Sequence, residues 1–284
     1  ESRLELRNEA EGGVGFISVG SDGAGTLVVE EGAPLVAEPF LEVGNRQGGD
    51  GTFTLTGSGT TATLSGQATP DGVLYGAFLT VADEAGARGE AAITDGASMT
   101  ITTDTGTYTG LQIADGADTV GELTVSGAGS SLTIQGNGGG LSGETAFVEI
   151  GAAGTATLTI SDGGSFVQDA NGVFTVGTEA GGSGIVDVTG TGSVLDAGGV
   201  MVIGAPTILG DVTRADIAMS GGGEGDVTVG AGATLRAGEG QGDGANDIFI
   251  GEHGMLRVED GGTVEADVKT EGAGSFVTGN SPGW

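Results

Sequence analysis

Short apolar runs recur along the chain, and each alternates apolar with variable positions before it ends on a small residue. Eight runs have this form, and their last residues are Gly20, Gly44, Ala82, Ala114, Gly151, Gly177, Gly204 and Gly251. Strict alternation places successive side chains on opposite faces of a strand, so each run predicts a short β-strand with one buried face. We find no comparable stretch with the 3.6-residue period of an amphipathic helix.

Each run is followed by two further strand-like segments that glycine-rich corners separate. In one unit Val148–Ile150 leads to Thr157–Ile160 and then, after Asp162-Gly163-Gly164, to Phe166-Val167. Glycine suits such corners because it tolerates positive φ without a Cβ clash. Three strands that repeat in the same order predict one full turn of a β-solenoid.

The spacing of the runs sets the number of turns. Their last residues lie 24, 38, 32, 37, 26, 27 and 47 positions apart. The short intervals hold three strands and three corners, and the long ones require insertions, which we place at 67–78, 135–146 and 205–225. We divide the 47-residue interval into 26 and 21 by taking Val227–Gly230 as a further run. The result is about nine turns and a rod of about 43 Å, at ~4.8 Å between stacked strands.

The predicted fold is therefore all-β: a parallel β-solenoid with three short strands per turn, about nine turns and loop insertions. A two-sheet sandwich also has short strands and turn signals, but its strands would not normally repeat one consensus in the same order. We assign residues 16–268 to the solenoid. Residues 1–15 form an N-terminal strand segment that caps the rod or pairs with another molecule, and residues 269–284 form a C-terminal strand and tail.

The charge balance excludes several classes of partner. The chain has 39 acidic and 8 basic residues, and its net charge is −31. The basic residues are scattered singly, which argues against binding to nucleic acid or to an anionic membrane surface. The absence of cysteine fits export through an oxidising compartment. No apolar run reaches the roughly 20 residues of a membrane-spanning helix, so we predict no membrane insertion.

Two stretches carry a family resemblance. Val148–Ser165 resembles the glycine-rich repeats of bacterial autotransporter passengers and related surface proteins, and Phe174–Gly192 is similar. The resemblance covers most of Phe16–Ala266. It implies a right-handed parallel β-helix in a secreted protein, extracellular or at the bacterial cell surface.

Catalytic and carbohydrate-binding residues are scarce. The sole histidine, His253, lies in a Gly-Glu-His-Gly turn without the aspartate pair and basic residues that accompany such a turn in pectin-cleaving enzymes. A Ser–His–Asp triad would also depend on it, and no nucleophile elbow is present. Aromatic platforms are limited to Trp284, Tyr75 and Tyr108, with most phenylalanines at inward positions, which argues against an extended carbohydrate groove. We therefore predict a non-enzymatic protein.

The sequence offers two candidate ligand sites, one for calcium and one for ice. Gly242–Asp247 resembles one interrupted copy of a glycine–aspartate calcium repeat, which makes Asp243 and Asp247 candidate calcium ligands. A polar corner with an Asx-turn accounts for the same residues, and no other cofactor is predicted. The outward positions of the first and second strands differ from copy to copy, which argues against an ice-binding threonine ladder.

The ends of a solenoid carry open strand edges, which natural proteins cap or use. Arg3–Arg7 and Ser275–Val277 predict strands at the two ends. Candidate self-association residues are Leu4, Leu6, Phe249, Phe276 and Trp284, and Val28, Val202 and Phe249 are predicted to be exposed for lateral contacts.

These features predict a secreted structural protein whose partner is itself: a self-assembling subunit of a bacterial surface appendage or extracellular filament. An adhesin or autotransporter passenger rod, which displays loops such as Gln67–Phe78 to a surface partner, is the alternative. A polysaccharide-active β-helix enzyme is the third candidate.

Overall fold

The computed structural model describes residues 4–6, 15–68, 71–103, 107–136, 146–169, 172–204, 222–238, 248–270 and 272–279, with the backbone alone for 4–6. The described residues form strands and turns and no helix, hence no helix that could span a membrane. The strands are numbered in chain order. All but two belong to three parallel sheets of nine strands, here named A, B and C.

Sheet A contains β1 (Leu4–Leu6), β4 (Pro34–Ala37), β7 (Thr61–Ser65), β12 (Ser98–Thr102), β15 (Ser131–Gln135), β18 (Ser165–Gln168), β21 (Val194–Asp196), β24 (Thr234–Arg236) and β27 (Thr263–Glu265). Sheet B contains β2 (Phe16–Val19), β5 (Phe40–Val43), β10 (Phe78–Val81), β13 (Thr109–Ile113), β16 (Ala146–Ile150), β19 (Val173–Val176), β22 (Val200–Ile203), β25 (Ile248–Ile250) and β28 (Val268–Thr270). Sheet C contains β3 (Ala24–Val29), β6 (Asp50–Thr56), β11 (Arg88–Thr94), β14 (Val120–Ser126), β17 (Thr155–Ser161), β20 (Ser183–Thr189), β23 (Glu224–Val229), β26 (Gly254–Val258) and β29 (Ser275–Thr278).

The chain passes from sheet B to C to A and then begins the next coil, which confirms the predicted parallel solenoid with three strands per turn. We number the coils 1 to 9 by their sheet C strand. β8 (Gln67–Ala68) and β9 (Leu74–Tyr75) form an antiparallel hairpin within the first predicted insertion. The other two insertions lie mainly outside the described residues. β1 and β29 extend sheets A and C, so the segments assigned outside 16–268 also contribute strands.

One predicted strand was wrong. Val227–Val229 belongs to β23 in sheet C, where Val227 pairs with Val186, and does not open a coil. The whole 47-residue interval is therefore one coil with an insertion, and the ninth strand of sheet B is β28. The error arose because second strands that end at a glycine corner have the same alternation as first strands.

The core consists of columns of inward side chains that the parallel register stacks from coil to coil. In sheet C one such column runs through Phe53, Ala91, Leu123, Leu158, Val186, Val227 and Leu256. All of these are 0 or 1% exposed. Each large apolar side chain buried in this way contributes about 1.5–3 kcal/mol. Phe166 and Phe174 meet edge to face in the same interior, with ring centroids 5.7 Å apart.

Five of the nine phenylalanines occupy outward positions, Phe249 of β25 among them, which corrects the prediction that most phenylalanines face inward. Phe16, Phe40, Phe78 and Phe147 alternate with buried residues of sheet B, and Phe16 is 61% exposed. The ring of Phe78 lies 6.0 Å from that of Phe40 and 5.4 Å from that of Phe147. Only Phe53, Phe166 and Phe174 are fully buried core phenylalanines among the described residues.

The turns between sheets C and A alternate in length, so the structural period over coils 1 to 6 is two coils. Coils 2, 4 and 6 have a longer turn of the form Gly-x-Gly followed by a buried hydroxyl residue: Gly57–Thr60, Gly127–Ser130 and Gly190–Ser193. Each hydroxyl accepts a hydrogen bond from a glycine N–H in the shorter turn of the preceding coil: Thr60 from Gly32 (2.9 Å), Ser130 from Gly96 (2.9 Å) and Ser193 from Gly163 (3.0 Å).

A column of outward hydroxyls adjoins these turns on sheet C: Thr56, Thr94, Ser126, Ser161 and Thr189. This column repeats, unlike the two outward columns considered from the sequence. Its hydroxyls connect coils 2 and 4 to the coil that follows each, because Thr56 donates to Asp95 (3.0 Å) and Ser126 donates to Asp162 (3.4 Å). Since these hydroxyls bond to one another and to aspartates, they support the corner.

Candidate assembly interface

At one end of the solenoid, coil 9 places apolar core positions at the surface. Phe276 pairs in register with the buried Leu256, so its side chain occupies an inward position, yet it is 42% exposed. Val264 and Val268 of the adjoining β27 and β28 are also only partly buried against the core. In the described part of the chain, β27, β28 and β29 pair on one side alone.

The opposite end of the solenoid, at coil 1, also has apolar side chains at its surface. Leu27 occupies the inward position of β3 and is only partly buried, and its neighbour Val28 is 50% exposed. Within the described residues β2 and β3 each pair only with the strand of the next coil, β5 and β6. Unpaired N–H and C=O groups beside exposed apolar side chains can pair with a strand from another molecule.

The predicted self-association residues have different surroundings. Phe276 lies in this end face. Phe249, predicted to be exposed, is 6% exposed and packs in a small cluster with Val200 and Val202 on the outer side of sheet B, with the Lys269 Nζ 5.5 Å from its ring centroid. Val202 is 0% exposed, so the predicted exposure of both residues was wrong.

The remaining predicted residues fall beyond the described side chains. β1 pairs with β4, with Leu4 opposite Leu35, but the side chains of Leu4 and Leu6 lie outside the description, as does Trp284. The candidate calcium ligands Asp243 and Asp247 also lie outside the described residues. Among the residues that the structure does describe, no three or more His, Cys, Asp or Glu side chains form a group that could hold a metal ion.

His253 is exposed and borders a shallow pocket of about 340 Å³ on the outer side of sheet C. Ser183 and Glu224, which pair on successive coils, also line this pocket, and His253 lies in the turn before β26 with φ +63°.

An acidic row crosses coils 2 to 5 at the junction of sheets B and C, and sequence reasoning missed it. Burial raises the pKa of Glu42, Asp83, Asp115 and Glu149. For Asp83 the pKa reaches about 6, because burial is reinforced by the charges of Asp115, Glu42 and Glu84. Gln112 Nε2 donates to Glu149 Oε2 at 3.0 Å, and Asn45 Nδ2 donates to Glu42 Oε2. These hydrogen bonds favour the ionised carboxylates and so offset part of the rise in the pKa of Glu42 and Glu149.

This row predicts that the protein is more stable at mildly acidic than at neutral pH. The pKa of Asp83 rises from 3.8 to about 6 on folding, so the folded chain binds the proton more tightly. Stability then falls as the pH increases from about 4 to about 6 and levels off above that window. Because Asp83 is half exposed, solvent screening reduces its penalty to on the order of 1 kcal/mol.

Asp83→Asn should therefore stabilise the protein at pH 7.5 and leave it almost unchanged at pH 4, as measured by urea denaturation at both values. Glu122→Gln is the matched control, since it removes the same charge from an exposed position of sheet C. Equal gains at the two pH values, or an equal gain from the control, would contradict the assigned cause.

No family model and no curated protein sequence matches the chain. Among solved structures, a similar chain is a crystal structure described as a TibC-catalyzed hyper-glycosylated TibA fragment. It is 14% identical, the match covers 99% of this chain and 96% of that one, and the TM-score is 0.16. At this TM-score nothing about activity or partners follows from the likeness. The described residues themselves define the fold class, a parallel β-solenoid with three strands per coil.

Proposed function

We propose that this protein is a non-enzymatic structural subunit that associates through the end faces of its solenoid into a filament at or outside the bacterial surface. The observation that carries the proposal is Phe276, a core-column residue that is 42% exposed beside unpaired strand edges. A contact between two different end faces does not close on itself, so it generates a filament. The resemblance of the repeats to autotransporter passengers supports the secreted, bacterial setting.

Electrostatic repulsion opposes this association and makes it dependent on salt. Two copies that each carry a net charge of −31 repel one another at low ionic strength. The screening length falls from about 10 Å at 0.1 M salt to about 3 Å at 1 M. Sedimentation velocity should therefore show monomers at low salt and a growing population of larger species as salt is added.

Phe276→Asp should abolish the larger species at every salt concentration, because it buries a charge in the joint. Val167→Asp is the matched control, since Val167 is 36% exposed on the outer side of sheet A, away from both ends. Both variants should keep the far-UV circular dichroism of the parent. If the parent chain stays monomeric between about 0.1 and about 1 M salt, the proposal is wrong.

A rod that displays loops to a surface partner is the second candidate, and the β8–β9 hairpin favours it. Val73 and Leu74 of this hairpin are each 46% exposed, as is Tyr108. The Tyr108 carbonyl oxygen lies against the backbone of Gly76, just after β9. Isolated rods of uniform length in negative-stain images, in place of fibres, would favour this candidate.

A further inference from the structure

The two end faces match one another position by position. The register of sheet C places Phe276 in the inward column that begins with Leu27, and Val277 in the outward column that begins with Val28. In sheet B, Val268 likewise belongs to the column that begins with Ile17. A coil 1 added beyond coil 9 would thus continue both the core and the outer columns with apolar residues.

The strands at these faces also lack the charge that dominates the chain. β2, β3, β28 and β29 contain no aspartate or glutamate and include one basic residue, Lys269. The chain as a whole has 39 acidic residues. Stacking these strands on one another therefore brings no carboxylates of sheets B and C together.

We infer that the partner of coil 9 is coil 1 of a second copy, stacked head to tail so that β29 pairs with β3 and β28 with β2. This inference rests on the proposed function. It adds the register: Phe276 lies over Leu27 of the next molecule, and Val277 lies beside Val28. Each sheet then continues into the same sheet of the neighbour.

A two-fold symmetric contact between two identical end faces would extend fewer of the three sheets from one molecule into the next. A two-fold axis reverses one molecule, so β29 would meet its own copy antiparallel. If sheet C faced itself in this way, sheet A of one molecule would meet sheet B of the other. Only one of the three sheets could then continue, whereas head-to-tail stacking continues all of them without a change of strand direction.

Cysteine cross-linking tests this register cleanly, because the chain contains no cysteine. Val28 and Val277 are both exposed outward residues, 50% and 42%. In the inferred joint they are neighbours in a parallel pair, at about the 5–6 Å between Cα atoms that a disulfide needs. We expect an equimolar mixture of Val28→Cys and Val277→Cys to form covalent heterodimers under mild oxidation at moderate salt. The yield should be at least ten times that of either variant alone.

Two further variants test the register and the direction of the contact. Thr26→Cys lies two positions along β3, about 7 Å from the matching position, and should cross-link with Val277→Cys at least ten times more slowly. The double variant Val28→Cys, Val277→Cys should give a ladder of trimers and longer species on non-reducing gels, whereas a single two-fold joint would stop at dimers.

Homodimers of Val28→Cys or of Val277→Cys that form as fast as the heterodimer would overturn the head-to-tail joint. The same holds if Thr26→Cys cross-links as well as Val28→Cys. Sedimentation of the parent chain separates the two proposals. Association without preferential cross-linking rejects the joint and leaves the proposed function standing, whereas a parent that stays monomeric at all salt concentrations rejects both.

Discussion

Replacing Gly44 with alanine is expected to lower the free energy of unfolding by about 3 kcal/mol. Gly44 follows the second strand of sheet B and has φ +69°, a left-handed conformation that costs alanine about 1 kcal/mol. A Cβ atom there would lie 1.8 Å from the Arg88 carbonyl oxygen of the next coil. Because the obstacle is backbone, the two coils must separate locally to relieve the clash.

Ala82 provides the matched control, since it occupies the same column one coil further on, also at positive φ and fully buried. The next coil evidently leaves room for a Cβ atom at that point. Ala82→Gly should therefore change the free energy of unfolding by less than about 1 kcal/mol, as measured by urea denaturation. Equal losses for the two variants would contradict the clash with the Arg88 carbonyl as the cause, because Ala82→Gly adds no atom.

Phe166→Ala is expected to cost about 3–5 kcal/mol, because it opens a cavity in the middle of the interior. The Phe166 side chain is 0% exposed and contacts the ring of Phe174. Since each coil of a solenoid contacts only its neighbours, the cavity should weaken the central coils most. Hydrogen exchange should therefore show faster exchange in β15, β18 and β21 than in β6.

Phe276→Ala is the comparison, because Phe276 has the same inward orientation but is 42% exposed. Under low-salt conditions in which the chain is monomeric, this variant should lose less than half as much stability as Phe166→Ala. A loss as large as that of Phe166→Ala would show that Phe276 is packed as a core residue in the monomer.

The fold could be predicted from the sequence because alternation and glycine corners are local signals. They predict the three strands of a coil and their order, whereas the predicted total of about nine coils counted Val227–Gly230 in place of β28. They could not assign every strand to its sheet: Val227–Gly230 has the pattern of a first strand, and only its pairing with β20 places it in sheet C.

Alternation also predicts whether a side chain points into or away from the core, but it does not predict whether neighbouring side chains bury it. Val202 and Phe249 point away from the interior, as expected, yet they bury one another with Val200 on the outer side of sheet B. The two-coil period escaped notice for a related reason. It depends on a difference of one residue between turns, which the much larger insertions hide in the spacing of the runs.

Some features of the candidate site could be predicted from the sequence and others could not. The strand that contains Phe276 could be predicted from its alternation, and the part of Phe276 in association stays a prediction. The acidic row could not be predicted, because Glu42, Asp83, Asp115 and Glu149 are 32 to 41 positions apart in the sequence. Only the stacking of coils buries Asp83 and brings the charges of Asp115 and Glu42 near it, which together raise its pKa to about 6.

The alternation of long and short turns restricts how this architecture changes length during evolution. Loss of a single coil from coils 2 to 5 would set two long turns or two short turns next to each other. A hydroxyl such as that of Ser130 would then lose the glycine N–H that it binds, or Asp95 would lose the threonine that donates to it. Gain or loss of coils in pairs preserves every one of these contacts, so duplication should proceed by double coils.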